Sequence, residues 1–333
     1  MWGPLWRRWA WALLLGGAAP AFAQFDALSD FPALKPHISG QTPAVPPFSF
    51  LAGVNYPWFN YGTDFGGNAW GHRGVSSAQT RAAVAADFVF LRSKGVKAAR
   101  WFLFCDGRAG LAYDSDGRVT GLDPYVFPDL DAAVSIAQDN GIQLILVLFD
   151  FHLLDDPRMV GGVQMGGRTN LVRDPQAAGS LFSNALEPLL RRYGHHPAIL
   201  AWEIMNEPEW RRDGAIPGFA KRLADLVHAQ TGQMVTLGSN KRAAMGQWRD
   251  VGLDFYQYHD YPDLFLLQEL DKPCLLGEFP TNGGGRALRG YLDGARQQGL
   301  AGALAWSYRA TDRYSNFKAV ADDFSSWVQA HAP

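Results

Sequence analysis

From Phe50 onward the chain alternates between short apolar runs of strand length and longer stretches with helical period. The runs are 50–55 (FLAGVN), 96–103 (VKAARWFL), 142–149 (IQLILVLF), 198–205 (AILAWEIM), 233–238 (QMVTLG), 253–258 (LDFYQY), 273–279 (PCLLGEF) and 300–306 (LAGALAW). Their near-continuous apolar character suits strands buried on both faces. Between them, Ser77 is placed to cap a helix over 78–94 that Gly95 stops, and Pro128 to open one that Gly141 stops. Further helices are expected over 174–193, 217–230 and 286–298, with weaker periodicity over 241–250, 262–271 and 315–330. Eight strands alternating with eight helices predict a single-domain (β/α)8 TIM barrel. An open doubly wound sheet would want a Gly-rich phosphate turn after its first strand, and here Asn-Tyr-Pro-Trp-Phe follows Val54. No internal repeat or second domain is visible.

The pattern before residue 50 is of another kind. Arg7 and Arg8, the run AWALLLGGAAPAFA and a small-x-small site at 21–23 make a secretory signal peptide over 1–23. Pro32, Pro36, Pro43, Pro46 and Pro47 mark an extended leader over 24–48, which leaves 49–333 as the catalytic domain. A secreted or periplasmic protein is expected, with no membrane contact once the signal is cleaved. At 333 residues, 47% apolar and 13% aromatic, the chain can bury a large core. Its formal net charge of −2 gives no reason to expect nucleic acid as a partner, and a monomer is expected. In an oxidising compartment two cysteines suggest a disulfide, but Cys274 opens its strand at the barrel's base while Cys105 ends another at the top. Two unpaired thiols without catalytic duty are expected.

Candidate chemistry gathers where apolar runs end, because a parallel barrel turns its C-terminal strand ends into one pocket. The second strand delivers Arg100, the third Asp150 and His152, and the fourth Asn206 and Glu207. His259 and Tyr261 follow the sixth, Glu278 ends the seventh, and Trp306 ends the eighth. Two carboxylates on facing strands suit cleavage of a glycosidic bond, with Glu207 as acid/base and Glu278 as nucleophile. Arg100 and a hydroxyl such as that of Tyr261 would favour the Glu278 anion. Asn206 could bond a sugar 2-hydroxyl, His152 and His259 could donate to sugar hydroxyls or orient the acids, and Trp306 could offer a ring face to a pyranose. Each has a plainer reading: Arg100 suits a buried ion pair, and Tyr56, Trp58, Phe59, Tyr61, Trp70, Trp101 and Trp210 suit packing as well as a glycan cleft. Asp150-x-His152 and His259-Asp260 could suggest a metal, but these histidines are interleaved with Arg and Glu, so neither metal nor other cofactor is expected.

Taken together, Arg100, His152, Asn206-Glu207, His259-x-Tyr261, Glu278 and Trp306 resemble glycoside hydrolase family 5, the cellulases and mannanases of the clan of retaining (β/α)8 glycosidases. The resemblance covers the chain from about Phe50 onward, and His-x-Tyr is its most discriminating part. It implies Glu207 as acid/base, Glu278 as nucleophile, and a β-linked mannan or glucan, as polymer or oligosaccharide, as substrate. A transglycosylase on β-glycans and a non-catalytic glycan-binding barrel are the alternatives. The segments 62–74 and 157–168 match no subfamily pattern, and such loops shape substrate choice.

Overall fold

The computed structural model describes residues 50–261 and 270–332. The expected signal peptide (1–23), the leader (24–48) and most of the weak helix 262–271 lie outside the described residues. Eight parallel strands close into a barrel: β1 Leu51–Asn55, β2 Ala98–Phe102, β3 Gln143–Asp150, β4 Ile199–Asn206, β5 Met234–Ser239, β6 Tyr256–His259, β7 Cys274–Pro280 and β8 Gly302–Trp306. Each pairs with its sequence neighbours, and β1 closes the ring against β8 through Leu51 opposite Gly302. All eight strands fall on the apolar runs.

Around them pack α1 Ala78–Ser93, α2 Val126–Asp139, α3 Pro175–Leu181, α4 Glu187–Tyr193, α5 Ile216–Gln230, α6 Leu288–Gln297 and α7 Phe317–Ala330. Two start signals act differently from expectation. The Ser77 hydroxyl donates to the Gly74 carbonyl at 2.8 Å instead of capping α1. Helix α2 begins at Val126, so Pro128 sits inside its first turn, where its missing N–H costs nothing. The 174–193 stretch is capped by Asp174, which accepts from the Gln176 N–H, and a π-turn at Phe182–Leu186 joins α3 to α4. Residues 242–251 form a 3-10 turn, not an α-helix.

The barrel interior changes character along its axis. At the base Leu51, Ala98, Ile145, Ala201, Phe255, Leu275, Ala301 and Leu304 form an apolar plug. Above it Asn55, Arg100, Glu203, Gln257, His259 and Glu278 are all buried. Cys274 lies at the foot of β7 and Cys105 beyond the top of β2; both are buried and unbridged, and burial pushes both thiols up so that they stay protonated.

The rim is built from short antiparallel hairpins, among them Gly67–Asn68 with Gly71–His72 and Arg158–Val160 with Val163–Met165. Two carboxylates fix the first, the buried Asp129 and the half-buried Asp123. Asp129 of α2 accepts from the N–H groups of Gly66 (2.8 Å) and Ser76 (2.7 Å), and Asp123 from that of Gly67 (2.7 Å). The Trp70 indole N–H then donates to the Val160 carbonyl at 3.1 Å, joining the two hairpins. Among the described residues no helix is long and apolar enough to cross a membrane.

Candidate active site

Arg100 stands at the centre of the upper barrel and spends its guanidinium on four side chains. Its Nε and Nη2 grip both oxygens of Glu203 at 2.7 and 2.5 Å, a fork geometry that ranks among the stronger protein hydrogen bonds. Nη1 donates to Asn55 Oδ1 at 3.0 Å and to Glu278 Oε1 at 2.7 Å, and Nη2 also donates to Asn206 Oδ1 at 2.8 Å. Gln257 completes the shell by donating to Glu203 Oε2 at 2.5 Å. The cluster needs space that a methyl group would fill. A Cβ on Gly238 would stand 2.6 Å from Glu203 Oε1, and one on Gly277 2.5 Å from Gln257 Oε1.

Glu278 therefore enters the pocket with one oxygen on a cation. Its other oxygen accepts from the Tyr261 hydroxyl at 2.5 Å. Burial pushes its carboxyl above the usual range, while Arg100 and Tyr261 act against that shift. Glu207 lies one residue past β4, in the left-handed region at φ 45°, with its N–H on the Gly238 carbonyl at 2.7 Å. Such backbone in a residue other than glycine is strained and concentrates at functional positions. Its carboxyl is raised, first by burial, and takes Nε1–H of Trp210 at 2.7 Å on Oε2. On Oε1 it meets His259 Nδ1 at 2.6 Å. Burial drives His259 down to about 4, so near pH 7 its ring is neutral and orients the acid without adding charge.

One oxygen of Glu207, one of Glu278 and a ring nitrogen of His259 all lie within 4.8 Å of one another. Three such donors could in principle hold a cation. The Arg100 guanidinium on Glu278 already supplies the positive charge there, which disfavours a metal in the same place.

Of the residues read from the sequence, Arg100, Asn206, Tyr261 and Glu278 form one hydrogen-bonded network and Glu207 with His259 another, and the two meet where His259 Nδ1 stands 3.5 Å from Glu278 Oε1. Two residues stand apart from both. Trp306 ends β8 only 7% exposed, donating Nε1–H to Asp312 Oδ2 at 2.9 Å. His152 sits beyond β3 on the 3-10 turn Phe151–Leu154 and is bonded to Asp155 at 2.8 Å, although it still acts on Glu207 electrostatically. Asp150 takes the Tyr61 hydroxyl at 3.2 Å.

Among the loop and strand-end aromatics, Tyr56 and Trp101 are fully buried packing. A row leads outward from Trp306 through Trp58 (6.1 Å between centroids), Tyr61 (4.8 Å), the Arg108 guanidinium (4.7 Å from the Tyr61 ring) and Trp70 (5.9 Å). Sequence reading missed Asn55, Glu203 and Gln257; Glu203 and Gln257 bond other side chains of the network, and Asn55 also donates to the Gly277 carbonyl at 2.9 Å. It left Trp210 as one aromatic among several.

Replacing Arg100 tests how far this network holds the barrel together. Arg100→Ala leaves Glu203 buried without its partner, and a loss of about 3–5 kcal/mol in denaturant unfolding is expected. Arg100→Met combined with Glu203→Leu should recover most of that stability while activity stays absent; a double variant as unstable as the single one would count against this account.

No protein-family model matches the chain. It is 26% identical over 338 aligned positions to a mannan endo-1,4-beta-mannosidase of Cryptopygus antarcticus, covering 80% of this chain and 83% of that protein. It is likewise 26% identical over 322 positions to the enzyme of the same name from Mytilus edulis, covering 78% and 83%. The crystal structure of an endo-1,4-beta-mannanase from Eisenia fetida superposes with a TM-score of 0.70 at 23% identity, covering 86% of this chain and 92% of that one, which bears on the fold. With the eight-stranded barrel, these relatives support a glycosidase similar to the cellulases and mannanases of glycoside hydrolase family 5.

Proposed function

We propose that the protein hydrolyses β-1,4-linked mannan with retention of anomeric configuration, through a glycosyl ester on Glu278. The observation that carries the chemistry is the approach of the Glu207 and Glu278 oxygens to within 4.8 Å across the barrel mouth. Retaining glycosidases hold their carboxyl groups roughly 5–5.5 Å apart, whereas inverting ones leave room for a water. Glu278 attacks C1 as Glu207 gives its proton to the departing oxygen; Glu207 then takes a proton from water, whose oxygen displaces Glu278. Asn206, anchored to Arg100 by Oδ1, turns its NH2 toward the sugar 2-hydroxyl. The choice of mannan over glucan is supported by the named relatives. Export through residues 1–23 and action as a monomer, without nucleic acid, belong to the same proposal.

The test is release of reducing ends from β-1,4-mannan, β-1,4-glucan and mixed-linkage glucan by the purified protein. Mannan should be cleaved fastest, and a preference for glucan would overturn the substrate assignment.

The two acids are close enough to titrate as a pair. The Arg100 cation and Tyr261 hydroxyl hold the two Glu278 oxygens, so the reacting form is the one with Glu278 ionised and the proton on Glu207. As pH falls, activity should drop when Glu278 takes up a proton; as pH rises, it should drop when Glu207 loses one. Since burial raises both groups, both limbs of the kcat/KM profile should lie above the ordinary carboxylate range. An alkaline limb in the range of an exposed carboxylate would contradict this assignment.

A further inference from the structure

Trp210 is one of the few large apolar side chains left in solvent, 59% exposed, yet its polar edge is committed to the acid. Its place is fixed from below. It rides the 3-10 turn Pro208–Arg211, which has left-handed residues, Glu207 and Arg212, at its two ends. Within the turn the buried Glu209 carboxylate accepts from the Trp248 indole N–H at 2.9 Å and the Asn240 N–H at 3.1 Å. Arg211 pairs with Asp155, which also holds His152. A turn this tightly anchored holds a wide ring in water, and packing does not account for that.

The two oxygens of Glu207 are not equivalent. Oε1 is covered by His259, itself fully buried and on the Glu278 side. Oε2 takes the N–H of the exposed Trp210, so a glycosidic oxygen coming from solvent meets the acid on the Trp210 side. The sugar beyond that oxygen is the leaving group in the first step and, where a saccharide replaces water, the acceptor in the second.

We propose that Trp210 is a positioning and specificity residue for the leaving-group side: its N–H tunes the acidity of Glu207, and its exposed ring carries the leaving or accepting sugar. The inference rests on the assignment of Glu207 as acid/base. In the transfer step the acceptor hydroxyl gives its proton to Glu207 while its oxygen bonds C1 and the Glu278 ester bond breaks, so atoms balance as they do with water. An indole donor favours the Glu207 anion, so its loss makes the acid weaker.

Two variants separate the two roles. Trp210→Phe keeps a ring and removes the donor; the alkaline limb of its kcat/KM profile should move to higher pH, with KM little changed. Trp210→Ala removes the platform as well. On mannan oligosaccharides its kcat/KM should fall by roughly ten-fold, the scale of one aromatic contact. On an aryl mannoside with a good leaving group, which needs little from that side, it should fall far less. The ratio of transfer to hydrolysis products at high mannobiose should fall with it. Unmoved pH limbs in Trp210→Phe, together with an unchanged oligosaccharide-to-aryl ratio in Trp210→Ala, would overturn the proposal, provided the wild type cleaves mannan. A wild type inactive on every β-glycan would count against the function instead. The contact itself is read without turnover: the Trp210 indole N–H resonance should titrate with Glu207 and stop doing so in Glu207→Gln. A resonance unaffected by that substitution would sink the proposal.

Discussion

Glu278→Ala should lose turnover on mannan by a factor on the order of 10^5–10^6, the scale on which removing an enzymic nucleophile acts. The variant keeps Arg100 with Glu203, Asn55 and Asn206 as partners, so folding should survive. It also leaves a cavity beside Arg100 Nη1 and the Tyr261 hydroxyl, the two groups that hold the Glu278 oxygens. Azide or formate fits there as an anion. On a substrate with a good leaving group, azide should restore part of the rate and give an α-glycosyl azide, because attack now comes directly from that face. Ordinary activity in the variant, or a product of retained configuration with azide, would remove Glu278 from the nucleophile's role.

The acid/base predicts a different signature. Glu207→Gln keeps an oxygen for the Trp210 N–H and a similar shape against His259, but has no proton to give. On mannan the loss should reach about 10^2–10^4-fold, the usual worth of a positioned proton donor. A dinitrophenyl glycoside departs without protonation, so its first step should be nearly spared and the glycosyl-enzyme should accumulate as a burst, with deglycosylation now lacking its base. Equal losses on the two substrates would argue against an acid at this position.

The eight strands were legible because burial on both faces writes each as an apolar run, and the catalytic pair because each glutamate ends or directly follows such a run. The support beneath them was not legible. Glu203 lies on the strand that Glu207 follows, four residues before it, and strict alternation would not bring both Glu203 and Asn206 onto Arg100. Pairing of β4 with β5 shifts register between those two residues, and this irregularity lets both reach the guanidinium. A one-residue shift leaves little trace in the apolar pattern. Gln257 and Asn55 likewise gain meaning only from which neighbour they face, and Gly238 and Gly277 only from the side chains that fill the space above them. The start at Pro128 was misread because proline is tolerated throughout a first turn and so does not fix a boundary alone, whereas α1 begins where Ser77 marks it although that hydroxyl satisfies a turn carbonyl. Trp210 could have been suspected from its spacing, three residues after the acid on a turn that proline tightens.

The Arg100 cluster makes the reaction centre and the upper core one object. A substitution that retunes the chemistry there also removes a brace from the barrel, so evolutionary drift at these positions is penalised twice. The hairpins at 67–72 and 158–165 rest on separate foundations, Asp123 and Asp129 for the first and the Trp70 tether between them. Diversification toward new polysaccharides has its room at that perimeter, where a loop can be exchanged without disturbing the engine below.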